Sequence, residues 1–300
     1  MPGRLAEIVA HTRTVIEASR ARTPESELVA RSAEAEPARA FASAVRDSRE
    51  LTGVIAEIKR RSPSAGVIRA QGSRWSGDHP LDRGLGFEPE GIAERYLVGG
   101  ASAISCLTDE KFFGGDLSYI ARIKASCPLP VLRKDFILEA YQVYEARALG
   151  ADAVLLIAEC LLEADGSASR IADLLALAES LGMSTLLEIH DRACLDSVAH
   201  LVGPEAPGLR LFGVNNRDLR TMRTDLGHVL GLLPSIPDRT RLVAESGITT
   251  REDLDRLRES DVRMALVGEH LMRQADPGAA LAALLHRVPP ESPEGGQVGV

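Results

Sequence analysis

Glu57 closes much of the extended run GVIAEI, and Lys59 follows it two positions later. Side chains alternate faces along a strand, so both share one side, opposite Ala56 and Ile58. A carboxylate beside an ammonium can act as base and acid in one site; the plainer alternative is a structural ion pair. Lysine is scarce in this chain. Of 35 basic residues only Lys59, Lys111, Lys124 and Lys134 are lysine, and the rest are arginine. An ammonium is a compact donor that gives up its proton when burial or crowding demands it, which a guanidinium does not. Lys124, in the helical stretch LSYIARIKAS, reads as a residue of a solvated face.

Similar chemistry gathers after other apolar runs. Arg133-Lys134-Asp135, Glu188 with His190, Asn215-Asn216-Arg217-Asp218, Glu245-Ser246-Gly247 and Gly268-Glu269 each follow one. Glu188, alone after STLL, is a carboxylate at a buried strand end, where a raised pKa is expected. Ser246-Gly247-Ile248-Thr249 and Gly268-Glu269-His270 each open a helical pattern. Backbone N–H groups at such openings bind phosphate, and Ser62 and Arg217 can add side-chain donors. The alternative for Gly247 and Gly268 is a plain turn residue.

The elements that must position these groups repeat. Strands are expected at 53–58, 101–107, 129–133, 152–157, 184–189, 210–214, 240–244 and 263–267, with helical stretches between them. The runs are too apolar for sheets with one wet face, so they read as parallel strands covered by helices. Eight such units fit a closed (β/α)8 TIM barrel, whose active site lies at the C-terminal strand ends. A doubly wound open sheet would want a glycine-rich first turn, and IKRRSPSAG is not one. Residues 1–50 read as an N-terminal helical extension packed on the barrel. Its first helix shows a face of Leu5, Ile8, Val9, Thr12, Val15 and Ile16, and AEPARAFASAVRDS supplies a second helix. Residues 51–287 are the catalytic barrel, and 288–300, rich in Pro, Gly and Glu, are expected to be a disordered tail.

Composition closes off other classes. The chain has 300 residues, 45% hydrophobic and 26% charged, with a net charge of −8, against non-specific nucleic-acid binding. No run approaches a membrane span, and MPGRLAEIVAHTRTVIEASR lacks the apolar stretch of a secretory leader. Cys106, Cys127, Cys160 and Cys194 show no CxxC spacing and read as small buried hydrophobes in a reducing cytoplasm. The seven histidines form no metal-ligand pattern. The expected partner is a phosphorylated small molecule, with no metal, nucleic acid or membrane; the oligomeric state is open, and a monomer fits.

IAEIKRRSPSAG, LTDEKFF, LPVLRKDFI with YQVYEAR after it, ADAVLLIAECL, LLEIHD, GVNNRDL, AESGI and LVGEHLM, in this order, resemble the indole-3-glycerol-phosphate synthase family. The resemblance implies a barrel of the ribulose-phosphate-binding type and ring closure of a carboxyphenylamino-deoxyribulose phosphate, with loss of CO2 and water and with no cofactor or metal, in tryptophan biosynthesis. It implies Lys134 as general acid for ring closure. Lys59 would steer the substrate carboxylate and serve as the later acid, with Glu188 or Glu57 as dehydration base. Asn215 and Ser246, beside Glu245, would hold hydroxyls or the carboxylate-bearing end. Ser62, Gly247, Gly268 and the amide of Glu269 would hold the phosphate, with Arg217 supporting that rim, and Phe112 and Phe136 would flank the aromatic ring. Lys111 is left to a loop ion pair.

Two departures from the family pattern stand out. Ala65 replaces the usual lysine after Ser-Pro-Ser, and residues 71–86, with the only tryptophan, Trp75, lengthen the first loop by roughly ten residues, past the usual few-residue connection. That stretch is a tolerated insertion or a modified lid. A paralogue running the same chemistry on a substituted anthranilate adduct keeps every group named. A phosphoribosylanthranilate isomerase-type barrel has no need of Lys59, Lys134 and Glu188 together, and a barrel kept only for protein interaction would have lost them.

Overall fold

The computed structural model describes residues 3–63, 65–69, 87–162, 167–217 and 224–286. The 71–86 insertion, Ser64, Asp218 and the 288–300 tail lie outside these residues.

Eight parallel strands close into a barrel. They are β1 (Gly53–Ile58), β2 (Ala103–Leu107), β3 (Val131–Lys134), β4 (Ala153–Ile157), β5 (Ser184–Ile189), β6 (Arg210–Asn215), β7 (Leu242–Glu245) and β8 (Met264–Val267). Closure comes from β1, which pairs with β8 through Gly53↔Met264 and with β2 through Glu57↔Ser105. Every expected strand is present, shorter by one or two residues at several starts. Strand residues are buried on both faces, which is why the runs read as continuously apolar. Alternation sorts them: Arg133 is buried outward against Gln142 and Glu145, while Lys134 points into the barrel.

The extension runs from the mouth of the barrel to its floor. Helix α1 (Arg4–Arg22) buries Ile8, Val9, Thr12 and Ile16, and Arg4, Leu5 and Ile8 line the mouth. Val15, expected on that face, is exposed. Arg20 then reaches Glu139 at 2.9 Å, and Thr23 accepts from Tyr141 Oη. The second helix departs from expectation. Helix α2 (Glu25–Glu34) forms earlier, and AEPARAFASAVRDS is helical only over α3 (Phe41–Arg46). Pro37 accounts for the break, because a proline bars its own amide and disfavours the helical region for Glu36. Helix α3 packs beneath the strands, where Ala42 N–H donates to Ser184 Oγ at the start of β5.

Lys124 is a second correction. It is half-buried, and its ammonium lies 2.6 Å from the fully buried Asp152, which also takes N–H donors from Val131 and Arg39. The helix Ser118–Ser126 turns its last residues onto the barrel floor, so its basic end stitches strands together instead of facing water.

Candidate active site

Four ionisable side chains meet at the C-terminal end of the barrel: Glu57 from β1, Lys134 from β3, Glu188 from β5 and Glu245 from β7. All four line one cavity. Barrels fill their interior in layers drawn from alternate strands, and these four come from the odd strands. Lys134 Nζ lies 3.0 Å from Glu188 Oε2 and 3.0 Å from Glu245 Oε2. Lys59 Nζ, just past β1, lies 2.5 Å from Glu57 Oε1. A buried carboxylate without a partner is costly, so three in one layer require such cations.

The electrostatics divide the acids. Burial alone works against the Lys134 charge, but Glu188, Glu245 and Glu57 outweigh it and hold the ammonium above its ordinary pKa. Burial raises Glu188 too, yet Lys134, His190 and the Asn215 amide outweigh that and bring it below the usual carboxylate range. The sequence expectation of a raised Glu188 is therefore reversed, since burial is only one of the contributions. Glu245 is the raised carboxyl, first by burial and then by the charge of Glu188, with Lys134 opposing.

Asn215 is fixed from both ends. Its Oδ1 accepts from Arg217 N–H at 3.0 Å, so its Nδ2 donates to Glu188 Oε1 at 2.9 Å. Asn216 is buried and splices the next loop together, with Val229 N–H on its Oδ1 and its Nδ2 on the Ser246 carbonyl.

One side of the mouth presents amide donors. Ser246 and Gly247 both take positive φ, 66° and 78°, the left-handed region. Among the described residues, the N–H groups of Gly247, Ile248, Gly268 and Glu269 have no protein acceptor. The helix expected at Ser246 begins only at Arg251, where Thr250 and Asp253 form a capping box. The Glu269 carboxylate is occupied by Arg217 at 3.1 Å and Arg273 at 2.9 Å, which leave it below its ordinary pKa despite partial burial. Ser62 Oγ accepts from Ala65 N–H at 3.1 Å within the hairpin Arg61–Ser62 and Gly66–Val67.

The opposite wall is aromatic, with a correction. Phe136 lines the cavity as expected, but its partner there is Phe113, at a ring separation of 6.1 Å. Phe112 is buried away from the mouth against His11 of α1, edge to face at 5.7 Å. Asp109 caps the one-turn helix Glu110–Phe113 by accepting from both phenylalanine amides, and successive helical residues point about 100° apart, so only one ring can face inward. Lys111, expected in a loop ion pair, instead lies over the Phe112 ring at 5.0 Å.

Every other expected site residue lines the cavity: Glu57, Lys59, Ser62, Lys134, Phe136, Glu188, Asn215, Arg217, Glu245, Ser246, Gly247, Gly268 and Glu269. Sequence reasoning passed over Glu159, Phe113 and Gly213. Glu159 sits two residues past β4, a strand-end position like those of the residues chosen. Gly213 is a glycine inside an apolar strand, a usual mark of close approach by another group. Among the described residues, no group of three or more His, Cys, Asp and Glu is placed to hold a metal ion. No described helix is long and apolar enough to cross a membrane.

The family model described as indole-3-glycerol phosphate synthase matches residues 5–284. The indole-3-glycerol phosphate synthase of Bordetella pertussis is 43% identical over 283 residues, covering 94% of this chain and 98% of the relative. That of Paracidovorax citrulli is 44% identical over 289 residues, covering 93% and 98%. Among solved structures, 3-hexulose-6-phosphate synthase from Salmonella typhimurium superposes with a TM-score of 0.55 at 13% identity, covering 78% of this chain and 97% of that one. That likeness is one of fold alone. The chain belongs to the indole-3-glycerol phosphate synthase family.

Proposed function

We propose that the chain converts 1-(2-carboxyphenylamino)-1-deoxy-D-ribulose 5-phosphate to indole-3-glycerol phosphate, CO2 and water, as a carboxy-lyase of tryptophan biosynthesis. The observation that carries the residue roles is the Lys134 ammonium, held 3.0 Å from two carboxylates between an amide-rich rim and an aromatic wall.

The substrate phosphate takes the free amides of Gly247, Gly268 and Glu269, with Ser62 beside them and Arg217 bracing the rim. The aromatic ring lies against Phe113 and Phe136. This places the ribulose carbonyl over Lys134. The ring carbon bearing the carboxylate attacks that carbonyl carbon, a C–C bond forms, and Lys134 gives its proton to the carbonyl oxygen. The C–CO2 bond then breaks and its electrons restore the aromatic ring. Dehydration follows. Lys59 protonates the departing hydroxyl, and Glu188 takes the proton lost from the adjacent carbon. Glu57 holds Lys59, and Asn215 and Ser246 hold hydroxyls. Glu188, kept ionised by its neighbours, suits the base, and the strongly held proton on Lys134 suits the acid. Positioned acid–base groups contribute roughly 10²–10⁴-fold each.

The test follows indole-3-glycerol phosphate formation by the wild-type chain and by Lys134→Ala. Turnover by the wild type, falling by roughly 10²–10⁴-fold in the variant, is the expected result. A folded wild-type chain that forms no product overturns the assignment, and an active Lys134→Ala overturns the acid.

A further inference from the structure

His190 follows β5 directly and is nine-tenths buried in the cavity wall, yet the scheme above gives it no part. Its ring stands between two carboxylates. Nε2 is 3.2 Å from Glu188 Oε1, and Nδ1 is 3.2 Å from Glu159 Oε2. Glu159 holds the residue a second time, since its Oε1 accepts from the His190 backbone N–H at 2.6 Å. The His190 carbonyl in turn accepts from His228 Nε2 at 2.6 Å. Backbone and ring are thus both pinned, by a helix turn (Ala158–Leu161) and a second helix (Gly227–Leu232).

We propose that His190 is a positioning residue for Glu188, holding Oε1 in place and ionised for the dehydration step, and that Glu159 keeps the His190 ring in its charged form. This rests on the assignment of Glu188 as base given above.

Geometry and chemistry support it. Lys134 takes Glu188 Oε2, and the oxygen it leaves, Oε1, is the one that faces His190. An imidazole with a carboxylate at each ring nitrogen is matched only by its doubly protonated form, which is a cation. Neither ring nitrogen makes a hydrogen bond, so the attraction across 3.2 Å on each side is between charges. Burial works against that charge, but Glu159, Glu188 and Glu245 outweigh it and raise His190 to about 8. Other ionisable groups near the ring change little. Asp191 is turned away to cap the helix Arg192–Val198, Lys134 lies beyond Glu188, and the thiols of Cys160 and Cys194 are kept neutral by burial. Asn215 shares Glu188 Oε1 with His190, so one oxygen is doubly held while Lys134 takes the other.

The experiment compares wild type, His190→Gln and Glu159→Gln by steady-state kinetics across pH 3 to 10, together with NMR titration of the His190 ring. Glu159→Gln keeps an oxygen for the His190 amide, so it remains folded if His190→Gln does not. For His190→Gln the expected result is a kcat lower by about tenfold, KM within about twofold, and an acidic limb moved to higher pH as Glu188 loses its cation. For Glu159→Gln the ring titrates at lower pH than in wild type, and the alkaline limb of kcat moves down with it. Superimposable pH profiles, or a change in KM alone, overturn the proposal. A ring that titrates near its ordinary value of about 6.5 in wild type and is unmoved by Glu159→Gln overturns it independently of activity. Because the NMR titration needs no turnover, failure of the proposal is distinguished from failure of the assigned reaction, in which the wild type itself makes no product.

Discussion

A Cβ atom at Gly213 would stand 2.2 Å from Glu245 Oε1. Gly213 lies on β6, in register with Glu188 on β5 and Val243 on β7, and its absent side chain is the space in which the Glu245 carboxylate rests. Gly268, just after β8, does the same for Glu57, whose Oε1 would also lie 2.2 Å from a Cβ there. The odd strands bring three carboxylates and a lysine into one layer, and glycines on or beside the even strands leave room for them. Gly213→Ala should therefore push Glu245 off Lys134. Overpacking of this kind costs about 1–3 kcal/mol, and misplaced catalytic groups lose up to roughly 10²-fold in rate. Melting temperature and kcat should fall together. An unchanged kcat in a destabilised protein would mean that the place of Glu245 is immaterial to Lys134.

Glu245 also leaves a mark on stability. Burial and the charge of Glu188 raise it to about 8. A carboxyl whose folded pKa lies above its unfolded value of about 4.3 binds its proton more tightly in the folded chain. Its contribution is fully present below that unfolded value and is lost as pH rises through about 8. Glu245→Gln keeps the shape and removes the titration. The fall in melting temperature between pH 6 and pH 9 should be smaller in the variant than in the wild type. Equal falls would assign the excess proton to another group.

Much of this site was legible because barrels place function at strand ends and strands alternate faces. Glu57, Lys59, Lys134 and Glu188 could be found from those two regularities, and the scarcity of lysine sharpened the choice. What escaped depends on three-dimensional neighbours. The direction of the Glu188 shift turns on Lys134, which is distant from it in sequence, and on His190, which lies just beyond the strand. The choice between Phe112 and Phe113 turns on the phase of a single helical turn, which adjacent identical residues cannot reveal. The break between α2 and α3 was readable from Pro37, but the apolar pattern on either side masked it. Lys124 looked solvated because its helix is amphipathic, and only the barrel floor supplies Asp152.

Gly268 combines two demands, and its substitution should separate them. Its amide faces the rim assigned to the phosphate, while its missing side chain accommodates Glu57. Gly268→Ala keeps the N–H, but its Cβ meets the Glu57 side chain and should push the amide off the phosphate; a hydrogen bond to a charged group is worth about 1.5–3 kcal/mol, so KM should rise by up to roughly 10- to 100-fold. It should also lower kcat by displacing Glu57 from Lys59. Inorganic phosphate, as a competitive inhibitor, reports the rim alone, and its inhibition constant should rise with KM. If kcat falls while phosphate inhibition is unchanged, the amide has not moved, and the missing side chain of Gly268 serves Glu57 alone.

The two adjacent phenylalanines offer the cleanest separation of packing from binding. Phe112 touches His11 and Lys111 and stays out of the cavity; Phe113 faces Phe136 across it. Phe112→Leu keeps most of the buried volume, so it should cost about 1 kcal/mol and lower the melting temperature by a few degrees, with KM unchanged. Phe113→Leu removes an aromatic contact worth about 0.5–1.5 kcal/mol beyond its area, so KM should rise roughly 2- to 10-fold with little loss of stability. Because both rings sit on the same capped turn, the pair controls for any disturbance of that turn. A KM effect from Phe112→Leu with none from Phe113→Leu would reverse the order of the two rings and place the aromatic substrate against α1.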